Sequence, residues 1–270
     1  MNPSEPAEAL RNAAARLAAV GIEEPMREAR LLAREAPDGA VFDAFIARRE
    51  KREPVAYILG RKEFWSLEFE VTPAVLIPRP DSETLIETAL KELKDTPPNR
   101  ILDLGTGSGC LLITLLTEFP NAAGTGLDIS REALAVARRN ARRHSVDTRA
   151  AFVEADFANA PHGRFDLVVA NPPYIADSAF ETLDTDVRDH EPRLALTAGR
   201  DGLDAIQTIA RTLHDVMKPD ALALIEIGHD QGESAVKVLE NEGLNVRRVV
   251  KDLAGHDRVI VATLPQGASP

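Results

Sequence analysis

Residues Arg100 to Pro120 read RILDLGTGSGCLLITLLTEFP. A short apolar run from Ile101 to Leu104 has the length of a buried strand. Gly105, Gly107 and Gly109 follow at alternate positions, and the apolar stretch from Leu111 to Leu116 is dense enough for a helix covered on most sides. Glycines between a strand and a helix allow a tight turn and let backbone N–H groups approach a ligand closely, at the positive end of the helix dipole. Strand, glycine turn and helix in that order open a doubly wound α/β sheet.

The same texture continues downstream. AAGTGLDIS (122–130) reads as a strand, REALAVARRNARRHS (131–145) as a helix, TRAAFVEAD (148–156) as a strand and FDLVVANPP (165–173) as another. LDAIQTIARTLHDVM (203–217) is a helix before the strand ALALIEIG (221–228), and GESAVKVLENEG (232–243) a helix before NVRRVVKD (245–252) and RVIVATLP (258–265). The expected sheet is mostly parallel, with seven strands. The last two strands lack an intervening helix and are expected to pair antiparallel.

Upstream the texture is helical. PAEALRNAAARLAAVG (6–21), EPMREARLLAREA (24–36) and GAVFDAFIARREKREP (39–54) have helical apolar spacing, with Pro25 opening the second and Gly21 closing the first. EFWSLEFEV (63–71) alternates like a strand and TPAVLIPRPD (72–81) gives a second short one, so a β-hairpin linker is expected, followed by a helix to about Lys94 with Asp81 or Ser82 at its cap. The expected divisions are a helical domain at 1–62, a hairpin linker at 63–80 and the sheet domain at 81–270.

Composition narrows the partners. The 270 residues carry a formal net charge of −11, against the phosphate neutralisation that dominates nucleic-acid affinity. A basic run, ARRNARRHS (137–145), lies within a helix of the core and reads as a solvated face. The single cysteine, Cys110, excludes an internal disulfide, and the six histidines show no metal-ligand spacing, so no metal is expected. Arg11 and Arg16 interrupt the N-terminal apolar run, and no apolar run approaches a membrane span. A cytoplasmic monomer without membrane contact is the expectation.

The dinucleotide fingerprint would place its third glycine at position 110, where this chain has Cys. The spacing Asp103-x-Gly105-x-Gly107-x-Gly109 instead resembles the S-adenosylmethionine loop of class I methyltransferases. In that reading Gly105, Thr106, Gly107, Ser108 and Gly109 cradle the methionine part of the cofactor. Asp128, at the end of the second strand, would accept the ribose hydroxyls, unless it or Ser130 only caps the next helix. Asp156 and Phe157, after the third strand, would contact the adenine.

Asn171-Pro172-Pro173-Tyr174 closes the fourth strand and opens onto the same crevice. A planar –NH2 group is a poor nucleophile because its lone pair is delocalised, so methylating it needs acceptors that grip the N–H bonds and aim the lone pair. Asn171 offers a side-chain carbonyl, Pro172 a backbone carbonyl, the two prolines stiffness, and Tyr174 a ring to pack on the target. Asn171, Pro172 and Tyr174 are the expected catalytic residues. Asn171 is also expected beside the cofactor, and Asn171, Pro172, Pro173, Tyr174 and Arg79 on the substrate. Adenine N6 in nucleic acid and glutamine N5 in protein both satisfy this chemistry.

Longer stretches bear on that choice. EPVAYILG (53–60), FWSLEFEVTPAVLIPRPDSETL (64–85), DLGTGSGC (103–110), NPPYI (171–175), HEPRLALTAGRDGL (190–203), LIEIGHDQG (224–232) and KDLAGHDRVIVA (251–262) together resemble the peptide chain release factor glutamine methyltransferases. The resemblance implies a class I methyltransferase (Rossmann-like) domain behind a small helical domain. It implies S-adenosylmethionine as cofactor, and as substrate the glutamine of the Gly-Gly-Gln motif in release factors. The family usually has Glu-Thr-Glu where this chain has Asp81-Ser82-Glu83, and often Trp where it has Phe157. The aromatic hairpin and the helical domain are then candidates for docking the release factor, with Arg79 and Pro80 at the mouth of the site. His190, Glu191 and Arg193 are expected on the substrate side, Glu226 and Gln231 in structural roles, and Cys110 as a small packed residue.

Overall fold

Helical apolar spacing over the first sixty positions is realised as α1 (Glu5–Ala19), α2 (Pro25–Glu35), α3 (Gly39–Arg49) and α4 (Val55–Leu59) in a computed structural model that describes residues 5–161 and 163–265. Their inward faces share one core of Leu17, Ala29, Leu32, Phe42, Ile46 and Ile58. Pro25 sits in the first turn of α2, where no N–H donor is lost. Asp38 caps α3 by accepting from the Val41 N–H at 2.9 Å. That helix stops at Arg49, earlier than the sequence suggested, and Arg52 takes a left-handed backbone, φ 65°, in the turn that follows.

The hairpin comes next and differs from expectation. β1 (Arg61–Phe64), which begins two residues ahead of the stretch 63–71 read as one strand, pairs with β2 (Leu67–Glu70) inside it, and no strand forms at residues 72–79. Trp65 and Ser66 both have positive φ, 51° and 59°, the signature of a tight two-residue turn whose twist matches the strands. Neither residue type announces that turn. It is held from outside: the Trp65 N–H donates to Glu83 Oε1 at 2.9 Å and its Nε1 to Glu118 Oε1 at 2.8 Å. Phe64 and Phe69 are buried in the sheet domain's core, so the hairpin's phenylalanines are not free to dock a partner.

α5 (Glu83–Glu92) leads into the sheet. The alternating elements are β3 (Arg100–Leu104), α6 (Cys110–Glu118), β4 (Ala123–Asp128), α7 (Arg131–Arg143), β5 (Ala150–Glu154) and β6 (Phe165–Ala170). After α8 (Thr185–His190) come α9 (Asp204–Val216), β7 (Met217–Glu226), α10 (Gly232–Asn241), β8 (Asn245–Lys251) and β9 (Asp257–Thr263). The strand order is β5-β4-β3-β6-β7-β9-β8. All neighbours from β5 to β7 run parallel, and β9 is antiparallel to β8, as expected, and also to β7.

Alternate residues of each strand serve opposite faces. Ile101, Leu167, Val169, Leu224 and Val261 pack beneath α5 and α6, whereas Leu102, Val168, Ala223, Ile225 and Ile260 pack beneath α9 and α10. The strand order reverses at β3, with β4 on one side and β6 on the other. Ligands bind at the carboxyl ends of strands at such a switch.

The chain forms two units, one of residues up to 61 with Leu183–His190, the other of 62–182 with residues from 191 on. α8 therefore belongs to the helical unit, not to the sheet domain in which sequence placed it. Ion pairs explain the recruitment. Buried Arg49 meets Glu28 at 2.6 Å and Asp186 at 2.7 Å, Arg52 meets Asp184 at 2.9 Å, and His190 Nε2 lies 2.9 Å from the Lys51 carbonyl. Arg49→Ala leaves two half-buried carboxylates without their cation. The expected cost is about 2 kcal/mol, less than for a fully buried pair because both carboxylates still reach water. Amide hydrogen exchange in α8 checks this: it should accelerate, and unchanged protection would contradict the assignment.

Candidate active site

The glycine loop bends at once after β3. The N–H groups of Gly105 and Thr106 both donate to the Leu127 carbonyl at 2.8 Å, folding the loop over the end of β4. Gly105, Gly107 and Gly109 all have left-handed backbones. Two of them need glycine for different reasons. A Cβ on Gly109 would lie 2.8 Å from Ile113 Cδ1 and 3.3 Å from Ala137 Cβ, inside the packed interior. A Cβ on Gly107 would meet nothing within 4 Å, because it faces the open cavity. Beneath the loop, Thr106 Oγ1 donates to Asp103 Oδ2 at 2.6 Å. Burial drives the Asp103 carboxyl up to about 7, against the opposing pull of Thr106.

Asp128 ties the loop to β4. Its Oδ2 accepts from the Gly107 N–H and its Oδ1 from the Ser130 N–H, each at 2.9 Å. Burial raises its carboxyl, and those backbone donors oppose the rise. The cap of α7 is Ser130, whose hydroxyl accepts from the Ala133 N–H at 3.1 Å, so Asp128 is not spent as a helix cap. Each of its oxygens keeps a further acceptor direction. Asp156 Oδ1 caps the short turn Phe157–Asn159, accepting from the Asn159 N–H at 2.9 Å, and the Phe157 ring lies 3.4 Å from where a Gly105 Cβ would stand.

Asn171 follows β6. Its Nδ2 donates to Ser82 Oγ at 3.1 Å, and the buried Glu226 carboxyl at the end of β7 lies beside both side chains. Burial nevertheless pushes that carboxyl up to about 7. With its NH2 group held from behind, Asn171 has Oδ1 left as an acceptor. Gln231 anchors the rest of the loop: its Nε2 donates to the Tyr174 carbonyl at 3.0 Å and the Gly202 carbonyl at 3.2 Å.

These elements enclose a cavity of about 660 Å3. Gly105, Thr106, Gly107, Ser108 and Asp128 form one wall; Asp156, Phe157, Asn171, Pro173 and Arg79 also line it. Three expected residues do not. Gly109 turns into the interior, Pro172 is buried, and Tyr174 sits behind the wall, its hydroxyl pushed up to about 12 by burial. The trio from the later loop separates as well. His190 joins α8, Glu191 is buried where it accepts from the Ile77 N–H at 3.1 Å and pairs with Arg79, and Arg193 stacks 4.4 Å over the Phe180 ring.

Two apolar side chains at the cavity were not anticipated, Ile129 and Leu194, 54% and 63% exposed. Ser82 was read as a helix cap, yet its side chain makes no cap bond. Glu226 carried the stronger signal, one acid in the apolar run ALALIEIG. Cys110 packs against the core as expected, its thiol pushed up to about 12 by burial.

Three of the four arginines of the basic run are engaged. Arg139 pairs with Glu70 at 2.7 Å, Arg143 with Glu68 at 3.0 Å, and Arg138 donates to the Phe152 carbonyl at 3.0 Å. Buried Asn140 binds both the Glu70 and Ser108 carbonyls, joining the hairpin edge to the glycine loop.

The fold and this site have relatives. The family model Methyltransferase small domain matches residues 81–188. A Release factor glutamine methyltransferase of Caulobacter vibrioides is 40% identical over 274 residues, covering 94% of this chain and 95% of the relative. This chain belongs to the release factor glutamine methyltransferase family. A second member, from Cereibacter sphaeroides, is 43% identical over 277 residues, with 96% and 98% covered. Among solved structures, a ribosomal protein L11 methylase of Lactobacillus delbrueckii subsp. bulgaricus superposes with a TM-score of 0.53 at 17% identity, over 73% of this chain and 84% of that one. At that identity the likeness speaks for the class I methyltransferase fold alone.

Within the family frame, KDLAGHDRVIVA acquires a structural reason. Asp252 Oδ1 accepts from the N–H groups of Ala254 and His256 at 3.0 Å, and Oδ2 from Arg258, which also donates to the Ile227 carbonyl at 3.1 Å. The motif is the braced turn between β8 and β9. No described helix is long and apolar enough to cross a membrane.

Proposed function

We propose that this chain transfers the methyl group of S-adenosylmethionine to the side-chain amide nitrogen of the glutamine in the Gly-Gly-Gln motif of peptide chain release factors. The observation that carries the reading is Asn171: its NH2 group donates to Ser82, so its carbonyl oxygen is the acceptor offered at the strand end beside the glycine loop.

The residues present suit the cofactor. Gly107 leaves space where a side chain would stand, and Asp128 keeps acceptor capacity for ribose hydroxyls. Bound S-adenosylmethionine supplies an electrophilic methyl carbon on a positively charged sulfur. Asn171 Oδ1 accepts an N–H of the target amide, turning the nitrogen lone pair toward that carbon and stabilising the positive charge that develops on nitrogen. No strong base is required, because the proton becomes acidic only as the new C–N bond forms. Pro172 and Tyr174 do not line the cavity, so the grip rests first on Asn171. The net charge of −11 and the engaged arginines of α7 favour a protein substrate over nucleic acid. A translation factor as substrate places the reaction in the cytoplasm.

Labelled S-adenosylmethionine offered with release factor or with DNA tests the reading. Label is expected in the release factor. Label in adenine of the DNA alone would refute it.

A further inference from the structure

We propose that Glu226 is a positioning residue: buried behind Ser82 and Asn171, it fixes which face of the Asn171 carboxamide meets the substrate. This rests on the reading of Asn171 given above. Glu226 is 1% exposed and does not line the cavity, so it touches neither cofactor nor substrate. Ser82 is also buried, but it reaches the cavity edge and accepts from Asn171 Nδ2 at 3.1 Å.

The chemistry sets the direction. A carboxylate only accepts hydrogen bonds, and an amide presents donors at one end and an acceptor at the other. Next to the Glu226 carboxylate, the amide must turn its NH2 group inward. The carbonyl oxygen is then forced outward, toward the target N–H. Without that anchor the carboxamide can turn over and present donors to a substrate that also donates, which repels rather than grips. Glu226 Oε2 is buried with no hydrogen-bond partner, so the acid holds unused acceptor capacity in the layer behind Asn171.

Protonation switches the anchor. The carboxyl titrates at about 7, raised chiefly by burial. The groups facing it are Arg258 on β9, Asp81 ahead of α5, Tyr174 after β6 and Cys110 at the start of α6. Arg258 is raised above its ordinary value, and Tyr174 and Cys110 are each pushed to about 12, so those three hold one charge state near neutrality. Asp103 also titrates at about 7, but it is coupled to Thr106 and Asp128 beneath the glycine loop.

The test uses the full chain with Glu226→Leu, Glu226→Gln and Ser82→Ala. In Glu226→Leu, kcat on release factor is expected to fall about thirtyfold or more, with the cofactor Kd and the KM for release factor within about threefold of wild type. Glu226→Gln keeps one acceptor and is expected to retain kcat within about fivefold at pH 8, but to lose the rise in kcat through pH ~7 that wild type shows. Ser82→Ala removes the bridge while keeping the buried acid in place and is expected to lower kcat in the same way, covering the case in which Glu226→Leu does not fold. A substrate-free reading accompanies these: the Asn171 side-chain NH2 resonances should titrate near neutral pH in wild type and not in Glu226→Gln. Wild-type kcat in both Glu226→Leu and Ser82→Ala, or a pH limb or resonance shift that survives in Glu226→Gln and so belongs to Asp103, would overturn the proposal. If wild type leaves release factor unmethylated, the reading of the substrate fails, while the Asn171 resonances still decide the role of Glu226.

Discussion

Replacing Asn171 by alanine should lower kcat by about a hundredfold to a thousandfold, the loss seen when one preorganised polar contact to a developing charge is removed. Asn171 touches the cavity at the end of β6 and is held from behind by Ser82. In the proposed reaction its carbonyl oxygen acts on the target nitrogen, whose charge changes most in the transition state, so the effect belongs in kcat rather than in substrate affinity. Cofactor affinity should stay within about threefold, because the glycine loop and Asp128 form a different wall. Single-turnover rates beside calorimetric titration separate the two. Near-normal turnover in Asn171→Ala would remove the amide grip from the mechanism.

Gly107→Leu should abolish measurable cofactor binding, at least a hundredfold in Kd, while the protein stays folded. Two observations carry this. At φ 54° a leucine costs about 1–2 kcal/mol of backbone strain, which a domain of this size survives. Its side chain meets no protein atom near Cβ and therefore projects into the cavity where the ligand belongs. Gly109→Ala makes the informative contrast. Its Cβ would press on Ile113 and Ala137, so it should lower the melting temperature, an overpacking cost of about 1–3 kcal/mol. Normal titration heat in Gly107→Leu would show that the loop does not hold the cofactor.

The sheet was legible because its signals are local. Ile101 to Leu104, the alternating glycines and the apolar α6 state strand, turn and helix within twenty residues, and Asp128 could be placed from its position at the end of the next strand. The hairpin was misplaced because its turn uses Trp65 and Ser66, whose positive φ is imposed by Glu83, Glu118 and the packing of Phe64 and Phe69. Ser82 looked like a cap and serves Asn171, 89 positions later in the chain. α8 carries no sequence mark of its home, since Arg49 and Asp186 meet only in three dimensions. What sequence missed in the site is the layer behind the wall, where contacts are long-range.

The carboxamide grip proposed for Asn171 serves the glutamine of a release factor. Peptide mass mapping of release factor after incubation with S-adenosylmethionine tests it most directly, with Asn171→Ala as control. The expected result is one added methyl group on the glutamine of the Gly-Gly-Gln peptide with wild type, and none or a trace with the variant. An unmodified Gly-Gly-Gln peptide, or equal methylation by Asn171→Ala, would contradict it.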